Sequence, residues 1–297
     1  MLDLPVAKDQ VTVVLPVLNE EAALGQVIEE LKMEGYNNIL VVDGYSKDQS
    51  VNVSLKNGVN LVFQHGGGKT GAVKTAIDYV KTPYMLFMDG DYTYCARDIE
   101  RLLNHGERYS QIVGVRSKKG IGLIHRFGNS MLTGIFNILF GTDLSDVCSG
   151  MYLVKTDAAR GLELTSKDFR TEVEILAQMA TEHRLTEVPI KYRTRIGKPR
   201  LCTLRDGFQI LRGILGLARK YNPIVIFSTL AATSMFPAAV VVGYALYLNF
   251  FVGVFEFNWL LFGSILFIIG VQGLTVATVA LLLKRMERRL LKYRENS

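Results

Sequence analysis

Two long apolar stretches near the end of the chain constrain its fold more than any other feature. Ile224–Leu248 and Trp259–Leu283 contain no charged residue. At about 25 residues each, they are long enough to cross a hydrocarbon core roughly 30 Å thick. The linker between them carries one charge, Glu256. The pair predicts a helical hairpin in a membrane, and two long helices buried in a soluble protein are the alternative.

Basic residues on either side of the hairpin predict its orientation. Arg212, Arg219 and Lys220 precede the first stretch, and the linker has no Lys or Arg. The second stretch is followed by Lys284, Arg285, Arg288, Arg289, Lys292 and Arg294. Because basic residues stay on the cytoplasmic side, we expect an integral membrane protein with both termini and the N-terminal region in the cytoplasm. Beside a membrane, the expected partner of these charges is anionic lipid and not nucleic acid.

The region before the hairpin alternates between strand and helix patterns. Strands are predicted at Val11–Leu15, Asn38–Val42, Asn60–Gln64 and Tyr84–Met88. Helices are predicted at 20–34, 47–57 and 71–80, with Asn19 as the N-cap of the first. This order predicts an α/β fold with a Rossmann-like, mainly parallel central sheet and helices on both of its faces.

Polar residues follow three of the predicted strands. The Asp89-Gly90-Asp91 sequence comes directly after the fourth strand, and Asn19, Glu20 and Asp43 follow the first and second. Ligands of open α/β sheets bind beyond the carboxyl ends of the strands. Paired carboxylates there can hold Mg²⁺ or Mn²⁺ against a diphosphate. A nucleotide-diphosphate site is therefore favoured, and an Asp-Gly turn without a ligand is the alternative.

A glycine-rich sequence, Gly66-Gly67-Gly68-Lys69-Thr70, precedes the third predicted helix. It does not match a Walker A loop, which needs a glycine at the position of Phe63. The glycines still indicate a loop that approaches a ligand closely, because they carry no side chain. Lys69 has two interpretations, a contact with phosphate or a solvated side chain.

The chain resembles the inverting family 2 glycosyltransferases of GT-A fold in three motifs, Pro16-Val17-Leu18-Asn19-Glu20, Val42-Asp43-Gly44-Tyr45-Ser46-Lys47-Asp48 and Asp89-Gly90-Asp91. Two more narrow the resemblance to dolichyl-phosphate mannose synthases and polyprenyl-phosphate glucosyltransferases: Asp146-Val147-Cys148-Ser149-Gly150-Met151 and Arg195-Ile196-Gly197-Lys198. The resemblance implies transfer of a hexose from GDP-mannose or a UDP-sugar to dolichyl or polyprenyl phosphate at the cytoplasmic membrane face. It also implies Mg²⁺ or Mn²⁺ as the cofactor.

The resemblance and the motifs together assign expected roles to individual residues. Contacts with the nucleotide sugar are expected from Pro16, Val17, Asn19, Glu20, Val41, Asp43, Lys69, Asp89, Gly90, Asp91, Arg195, Lys198 and Arg200. The expected metal ligands are Asp89 and Asp91, and the catalytic set adds Arg116 and Glu172. The lipid phosphate is assigned to Arg116, Arg126 and Ser130. Relatives often carry Gln or His where Thr93 stands, so the third metal ligand is not identified.

Two amphipathic segments, 121–140 and 203–221, have a bulky apolar side and a polar side. We expect them to lie in the membrane interface, and packing against the sheet is the alternative. An interfacial helix carrying Arg126 suits a lipid phosphate, because arginine binds phosphate oxygens bidentately. A surface ion pair is the other interpretation of each arginine.

The expected chemistry is a single displacement at the anomeric carbon. The acceptor phosphate is already anionic at neutral pH, so no strong general base is needed. Either Glu172 or Glu174 would orient the sugar, and an exposed helix carboxylate is the alternative that we favour for Glu174. The expected organisation is a catalytic domain at 1–201, an interfacial helix at 202–222 and a hairpin at 223–297, with spans at about 224–248 and 259–283.

Two other functions fit parts of the sequence. A processive polysaccharide synthase would carry a Gln-x-x-Arg-Trp motif near the membrane, but the single tryptophan is Trp259, at the start of the second span. Thr93 favours a non-catalytic membrane scaffold, whereas intact Asp89 and Asp91 and the intact basic loop argue against it. Transfer to a lipid phosphate is the function that the sequence favours.

Overall fold

The computed structural model describes residues 5–117, 123–165, 171–182, 185–197, 203–221 and 223–295. The chain divides into two compact units, Met1–Leu215 and Gly216–Ser297. The division falls inside a continuous helix, Thr203–Tyr221, which has the bounds expected for the second amphipathic segment.

A seven-stranded sheet forms the centre of the first unit, with the strand order β3-β2-β1-β4-β6-β5-β7. The strands are β1 Val11–Val17, β2 Ile39–Asp43, β3 Asn60–Phe63, β4 Tyr84–Phe87, β5 Gln111–Arg116, β6 Tyr152–Lys155 and β7 Leu185–Ile190. β6 is antiparallel to β4 and β5, and the other neighbouring strands are parallel. The predicted Rossmann-like, mainly parallel sheet is confirmed. The reversal of β6 brings the loop before it to the edge where β4 and β5 end.

Helices cover both faces of this sheet. The helices of the first unit are α1 Glu21–Met33, α2 Ser50–Lys56, α3 Gly68–Tyr79, α4 Ile99–Leu103, α5 Leu123–Phe140, α6 Thr156–Arg160 and α7 Thr171–Glu182. Helix α8, Thr203–Tyr221, contains the boundary between the two units. Leu24 and Ile28 of α1 belong to one buried cluster, with Leu15 of β1. Val73 of α3 and Met179 of α7 belong to a second cluster, on the opposite face. Alternate residues of the strands enter the two clusters, as expected when both faces of a sheet are covered.

Strand β1 continues through Pro16 to Val17, beyond the end predicted from its sequence. Val14 accepts a hydrogen bond from the N–H of Met88, which is the last backbone bond on the β4 side. Val14 and Pro16 both face β4, because backbone groups two residues apart point to the same side of a strand. The N–H group that proline lacks would therefore point past the end of β4, where there is no strand to accept its hydrogen bond. Proline therefore does not interrupt the pairing of β1 with β2.

The prediction that Asn19 is the N-cap of α1 is wrong. Asn19 has a left-handed backbone, with φ 49°, and its side-chain oxygen accepts a hydrogen bond from the N–H of Lys47 at 2.6 Å. Its own N–H donates to Ser46 Oγ at 2.8 Å. Asn19 therefore connects the loops after β1 and β2 and does not cap α1.

The first turns of α1 and α2 are satisfied by each other's side chains. The N–H of Glu21 donates to the Asp48 carboxylate at 3.1 Å, and the N–H of Gln49 donates to the Glu21 carboxylate at 2.8 Å. The N–H of Glu20 donates to Ser50 Oγ at 2.8 Å. Because the first N–H groups of a helix have no partner within it, this exchange stabilises both helix starts. It also fixes two loops at the carboxyl edge of the sheet.

The second unit contains two long apolar helices, α9 Pro223–Tyr247 and α10 Phe257–Glu295. A π-helical turn, Leu248–Val252, extends α9. Two segments are long and apolar enough to cross a membrane, Phe227–Val252 and Phe257–Ala280. The predicted apolar stretches are therefore helical, and α10 continues into the basic tail.

Small residues line the contact between α9 and α10. On α9 the buried residues Ala231, Ala238 and Ala245 recur every seven residues, and on α10 Gly263, Gly270 and Ala277 do the same. A Cβ added at Gly270 would meet Met235 and the backbone of Ala231. Close approach of backbones at small residues is the usual way in which membrane helices associate. The large apolar side chains of both helices are mostly exposed, as expected for a hairpin surrounded by lipid.

Candidate active site

The acidic pair lies just beyond the end of β4, as predicted. Asp89 is half-buried, and its Oδ1 lies 2.6 Å from Nζ of Lys69, on the first turn of α3. The same ammonium lies 2.5 Å from Oε1 of Glu172, on the first turn of α7. Burial alone would lower the pKa of Lys69, but Asp89 and Glu172 outweigh it and raise that pKa well above its usual value. Lys69 is therefore a charged, enclosed site residue, and its interpretation as a solvated side chain is wrong.

Asp91 is buried, and each of its oxygens has a partner. Oδ1 accepts hydrogen bonds from the Thr93 hydroxyl at 2.5 Å and from the Thr93 N–H at 3.1 Å. Oδ2 accepts from Arg195 at 2.5 Å, and the same guanidinium donates to Glu20 at 2.6 Å. Arg195 thus connects the polar residues that follow β1 and β4. Three residues that are expected to contact the nucleotide sugar, Glu20, Asp91 and Arg195, are therefore in contact with one another.

The charges of Asp89 and Asp91 repel each other. Burial, and then the charge of Asp89, raise the pKa of Asp91 above its ordinary value. A divalent cation would relieve that repulsion, and carboxylate oxygens are the ligands that Mg²⁺ and Mn²⁺ prefer. No cluster of three or more His, Cys, Asp and Glu side chains that could hold a metal occurs among the described residues. Asp89 and Asp91 fit an ion that takes two carboxylate ligands from the protein and its other ligands from the phosphates of a substrate. This is a common arrangement for Mg²⁺.

The loop before β6 encloses Asp89 from the other side. The N–H of Gly150 donates to the hydroxyl of the buried Tyr94 at 2.7 Å. A Cβ added at Gly150 would overlap Oδ2 of Asp89 and lie 3.0 Å from its Cγ. Only glycine therefore lets this loop approach the carboxylate so closely.

Arg116, at the end of β5, is held by Asp146 of the same loop. Its Nε and Nη2 donate to the two Asp146 oxygens at 2.7 and 2.8 Å. Asn129 of α5 donates to Asp146 Oδ1 at 3.0 Å, and the guanidinium lies 5.4 Å from the ring centroid of Tyr192. Arg116 therefore forms a partly buried bidentate ion pair, and not the exposed ion pair that is the alternative interpretation.

Arg126 and Ser130 lie exposed on α5, on either side of Asn129. Phe127, Met131 and Ile138, on the same helix, are 73%, 45% and 83% exposed. An apolar stripe beside an arginine is the surface expected of an interfacial helix. Leu132 and Phe136, on the opposite side of α5, are buried in the protein.

The remaining predicted residues differ in where they lie. The Asp43 carboxylate is buried and accepts hydrogen bonds from the N–H and hydroxyl of Ser46 at 2.8 and 2.6 Å. Val17 and Val41 are core residues, and Gly90 would place a Cβ 3.2 Å from Val17. The predicted residues outside the described part of the chain are Lys198 and Arg200.

The expectation that Glu174 is exposed is wrong. Glu174 is fully buried, and it accepts hydrogen bonds from the Thr165 N–H at 2.9 Å and from the Thr165 hydroxyl at 2.7 Å. Glu174 therefore holds Thr165 against α7. Glu172 is buried as well, but its Oε1 faces Nζ of Lys69, which also contacts Asp89.

Asp146 and Gly150 contact two of the predicted site residues, Arg116 and Asp89, but the sequence predicts no individual role for either of them. Both stand in a motif that carries the family resemblance. A signal was available for Gly150, because a glycine beside a polar loop often marks a close approach. Their contacts with Arg116 and Asp89 depend on the reversal of β6, which the sequence does not indicate.

A mostly parallel sheet with paired carboxylates beyond β4 is the arrangement of a GT-A glycosyltransferase. The chain belongs to glycosyl transferase family 2, whose model matches residues 12–160. It is 31% identical over 251 residues to glycosyltransferase AglJ of Haloferax volcanii, with 82% of each chain covered. It is 26% identical to a dolichyl-phosphate hexose transferase of the same organism, over 70% of this chain and 93% of that one.

A solved structure supports the fold. Glucosyl-3-phosphoglycerate synthase of Mycobacterium tuberculosis, in complex with Mn²⁺, UDP-glucose and phosphoglyceric acid, superposes with a TM-score of 0.59. The match covers 70% of this chain and 79% of that one, at 19% identity. The GT-A fold and the glycosyltransferase class predicted from the motifs are both confirmed.

Proposed function

We propose that this glycosyltransferase moves a hexose from a nucleotide-diphosphate sugar to dolichyl or another polyprenyl phosphate at the cytoplasmic face of a membrane. The observation that carries the proposal is the charge arrangement at the end of β4, where Lys69 and Arg195 meet Asp89 and Asp91. Fixed positive groups beside paired carboxylates suit a metal-bound diphosphate. The relative named a dolichyl-phosphate hexose transferase supports the acceptor, and the solved neighbour with UDP-glucose and Mn²⁺ supports the donor class.

The second unit supports a lipid acceptor. Helices α9 and α10 are long and apolar enough to cross a membrane, and a polyprenyl chain would stay in the bilayer while its phosphate reaches the enzyme. The basic residues of the tail and the absence of Lys and Arg between the two spans support a cytoplasmic catalytic unit. Neither feature is needed by an enzyme that acts on a soluble acceptor.

In the proposed reaction, Asp89 and Asp91 would hold a divalent cation, which would neutralise charge on the leaving nucleoside diphosphate. Arg195 lies in contact with Asp91, so it can donate to the same phosphates once the donor is bound. Lys69 holds the Asp89 carboxylate in place. The acceptor phosphate attacks the anomeric carbon on the opposite side, and its charge makes a protein base unnecessary.

Arg116 and Arg126 are the proposed acceptor groups. Asp146 orients the Arg116 guanidinium in a bidentate pair, and Asn129 connects that pair to α5, which carries Arg126 and Ser130. Arginine is suited to this role because its planar donor groups match two phosphate oxygens. We propose Glu172 as the carboxylate that orients the sugar, because its Oε2 is buried and has no hydrogen-bond partner among the described residues.

The test is a transfer assay with purified full-length enzyme in lipid nanodiscs. Labelled GDP-mannose, UDP-glucose and UDP-N-acetylglucosamine are each offered with dolichyl phosphate and Mn²⁺ or Mg²⁺. We expect a lipid-linked product with one donor, and its loss in Asp91→Ala. Absence of a lipid-linked product with all three donors would reject the proposed transfer to dolichyl phosphate, and unchanged activity of Asp91→Ala would reject the metal role.

A further inference from the structure

The turn that presents Asp91 has a costly backbone conformation. The next residue, Tyr92, has φ 69°, in the left-handed region that bulky residues rarely occupy. Such strain persists only where surrounding contacts hold it, and it often occurs at ligand sites. The contacts that hold Tyr92 therefore bear on the position of Asp91.

One side chain, Arg193, contacts this turn at several points. Its guanidinium carbon lies 4.0 Å from the centroid of the Tyr92 ring, and its Nη2 donates to the backbone carbonyl of Tyr94. Apart from the side chain, the backbone N–H of Arg193 donates to the carbonyl of Thr93 at 2.8 Å. The guanidinium is held in turn by Glu30 of α1 at 2.8 Å. Residues 92, 93 and 94 are thus all fixed by Arg193.

These contacts leave the Arg193 side chain itself incompletely hydrogen-bonded. Its Nε is buried and has no hydrogen-bond partner among the described residues, which is unfavourable for a charged group. A buried unpaired donor and a left-handed tyrosine therefore meet at one turn, directly beside Asp91. Local features that disfavour folding and converge in this way are expected at functional sites.

We propose that Arg193 is a positioning residue for Asp91. Its guanidinium, anchored by Glu30, holds Tyr92 in the left-handed conformation and so sets the direction of the Asp91 carboxylate toward the metal and the donor diphosphate. The Arg193 side chain acts through Tyr92 and the backbone of Tyr94 and does not contact the reacting groups. The inference rests on the proposed function, because it assigns Arg193 to the proposed metal site.

The probe is Mn²⁺ alone, titrated into the full-length enzyme and followed by electron paramagnetic resonance. Arg193→Lys keeps the charge but loses the planar contact with the ring. Residues that orient a metal ligand typically contribute roughly 10- to 100-fold to metal affinity, and we expect a loss in that range. The matched control is Arg101→Lys, because Arg101 also donates to a backbone carbonyl, that of Pro189, at 3.0 Å. The control should bind Mn²⁺ like the wild type.

Tyr92 provides a second pair of variants if Arg193→Lys does not fold. Tyr92→Phe keeps the ring under the guanidinium and should retain Mn²⁺ affinity, whereas Tyr92→Ala removes the ring and should weaken binding at least tenfold. Wild-type affinity in Tyr92→Ala or in folded Arg193→Lys would overturn the positioning role. Asp91→Asn separates the two proposals: if it binds Mn²⁺ like the wild type, the proposed metal site itself fails.

Discussion

Replacing Gly150 by alanine should damage the active site and leave the fold intact. The added Cβ would lie 3.0 Å from Cγ of Asp89, whereas ordinary contact begins at 3.4 Å, and it would overlap Oδ2 more severely. The backbone cannot retreat easily, because the Gly150 N–H is bonded to Tyr94 and the chain enters β6 two residues later. Gly150 does not have a positive φ, so alanine is allowed by the backbone itself. The Asp89 carboxylate is therefore the group that moves.

The size of the effect follows from that displacement. The Cγ of Asp89 must move by at least 0.4 Å, the difference between 3.4 and 3.0 Å, and its oxygens must move further. A misplacement of about 1 Å in a catalytic site costs about 100-fold in rate. We expect kcat to fall by about 10- to 100-fold, or about 1.4–2.7 kcal/mol in activation free energy. Because a side-chain end yields and not the core, the free energy of unfolding should change by less than about 1 kcal/mol.

The assay measures initial rates of labelled sugar transfer to dolichyl phosphate, together with thermal unfolding of the same preparations. Gly161→Ala is the matched control, because the nearest atom to a Cβ there is at an ordinary 3.6 Å. Wild-type rates in Gly150→Ala would refute the steric reasoning. Equal losses in both variants would refute it too, since the effect would then not come from Asp89.

Three further predictions concern other parts of the molecule. Arg126→Ala should raise the KM for dolichyl phosphate and leave the donor KM unchanged; a defect confined to the donor would contradict its acceptor role. Gly270→Leu should lower the melting temperature of the hairpin in detergent, because the leucine side chain would overlap α9. The control is Gly243→Leu, which has open space around it and should not change the melting temperature. Equal melting temperatures of the two variants would contradict the small-residue contact. Burial, and then the charge of Asp146, raise the pKa of the partly exposed Cys148 thiol to about 12, so its reactive thiolate form is disfavoured at pH 8. Mass spectrometry should therefore find Cys148 alkylated much more slowly at pH 8 in the folded enzyme than in the enzyme unfolded with guanidinium chloride; equal rates would contradict the raised pKa.

The first four strands could be predicted because each is a short, strongly apolar run between turn residues. Their observed bounds differ from the predicted ones by one or two residues, as at Pro16 and Val17. The error at Asn19 has a different origin. Its side chain had a local role available as a cap, but a partner 28 residues away, Lys47, competes successfully for it. A local sequence pattern does not show whether a side chain bonds to a nearby helix start or to a residue far along the chain.

The acidic pair could be predicted because strand ends in parallel sheets meet at one edge. Its partners could not be predicted by the same argument. Lys69 is 20 residues from Asp89, and Arg195 is 104 residues from Asp91. These pairs form because separate helices and loops reach one edge of the sheet, which depends on tertiary packing. Glu172 and Glu174 show the same limit, since spacing alone does not say which carboxylate faces Lys69 and which binds a loop.

The reversed strand β6 has a consequence for the order in which the enzyme is assembled. The parallel strands β1 to β4 come from the first 90 residues, so they can pair early during synthesis. Asp89 is enclosed only when the loop containing Gly150 arrives, and that requires β6 to insert between β4 and β5. Pairings over such long sequence separations form slowly. We therefore expect strands β1 to β4 to form first, and the chain to become competent for sugar transfer only when β6 has inserted.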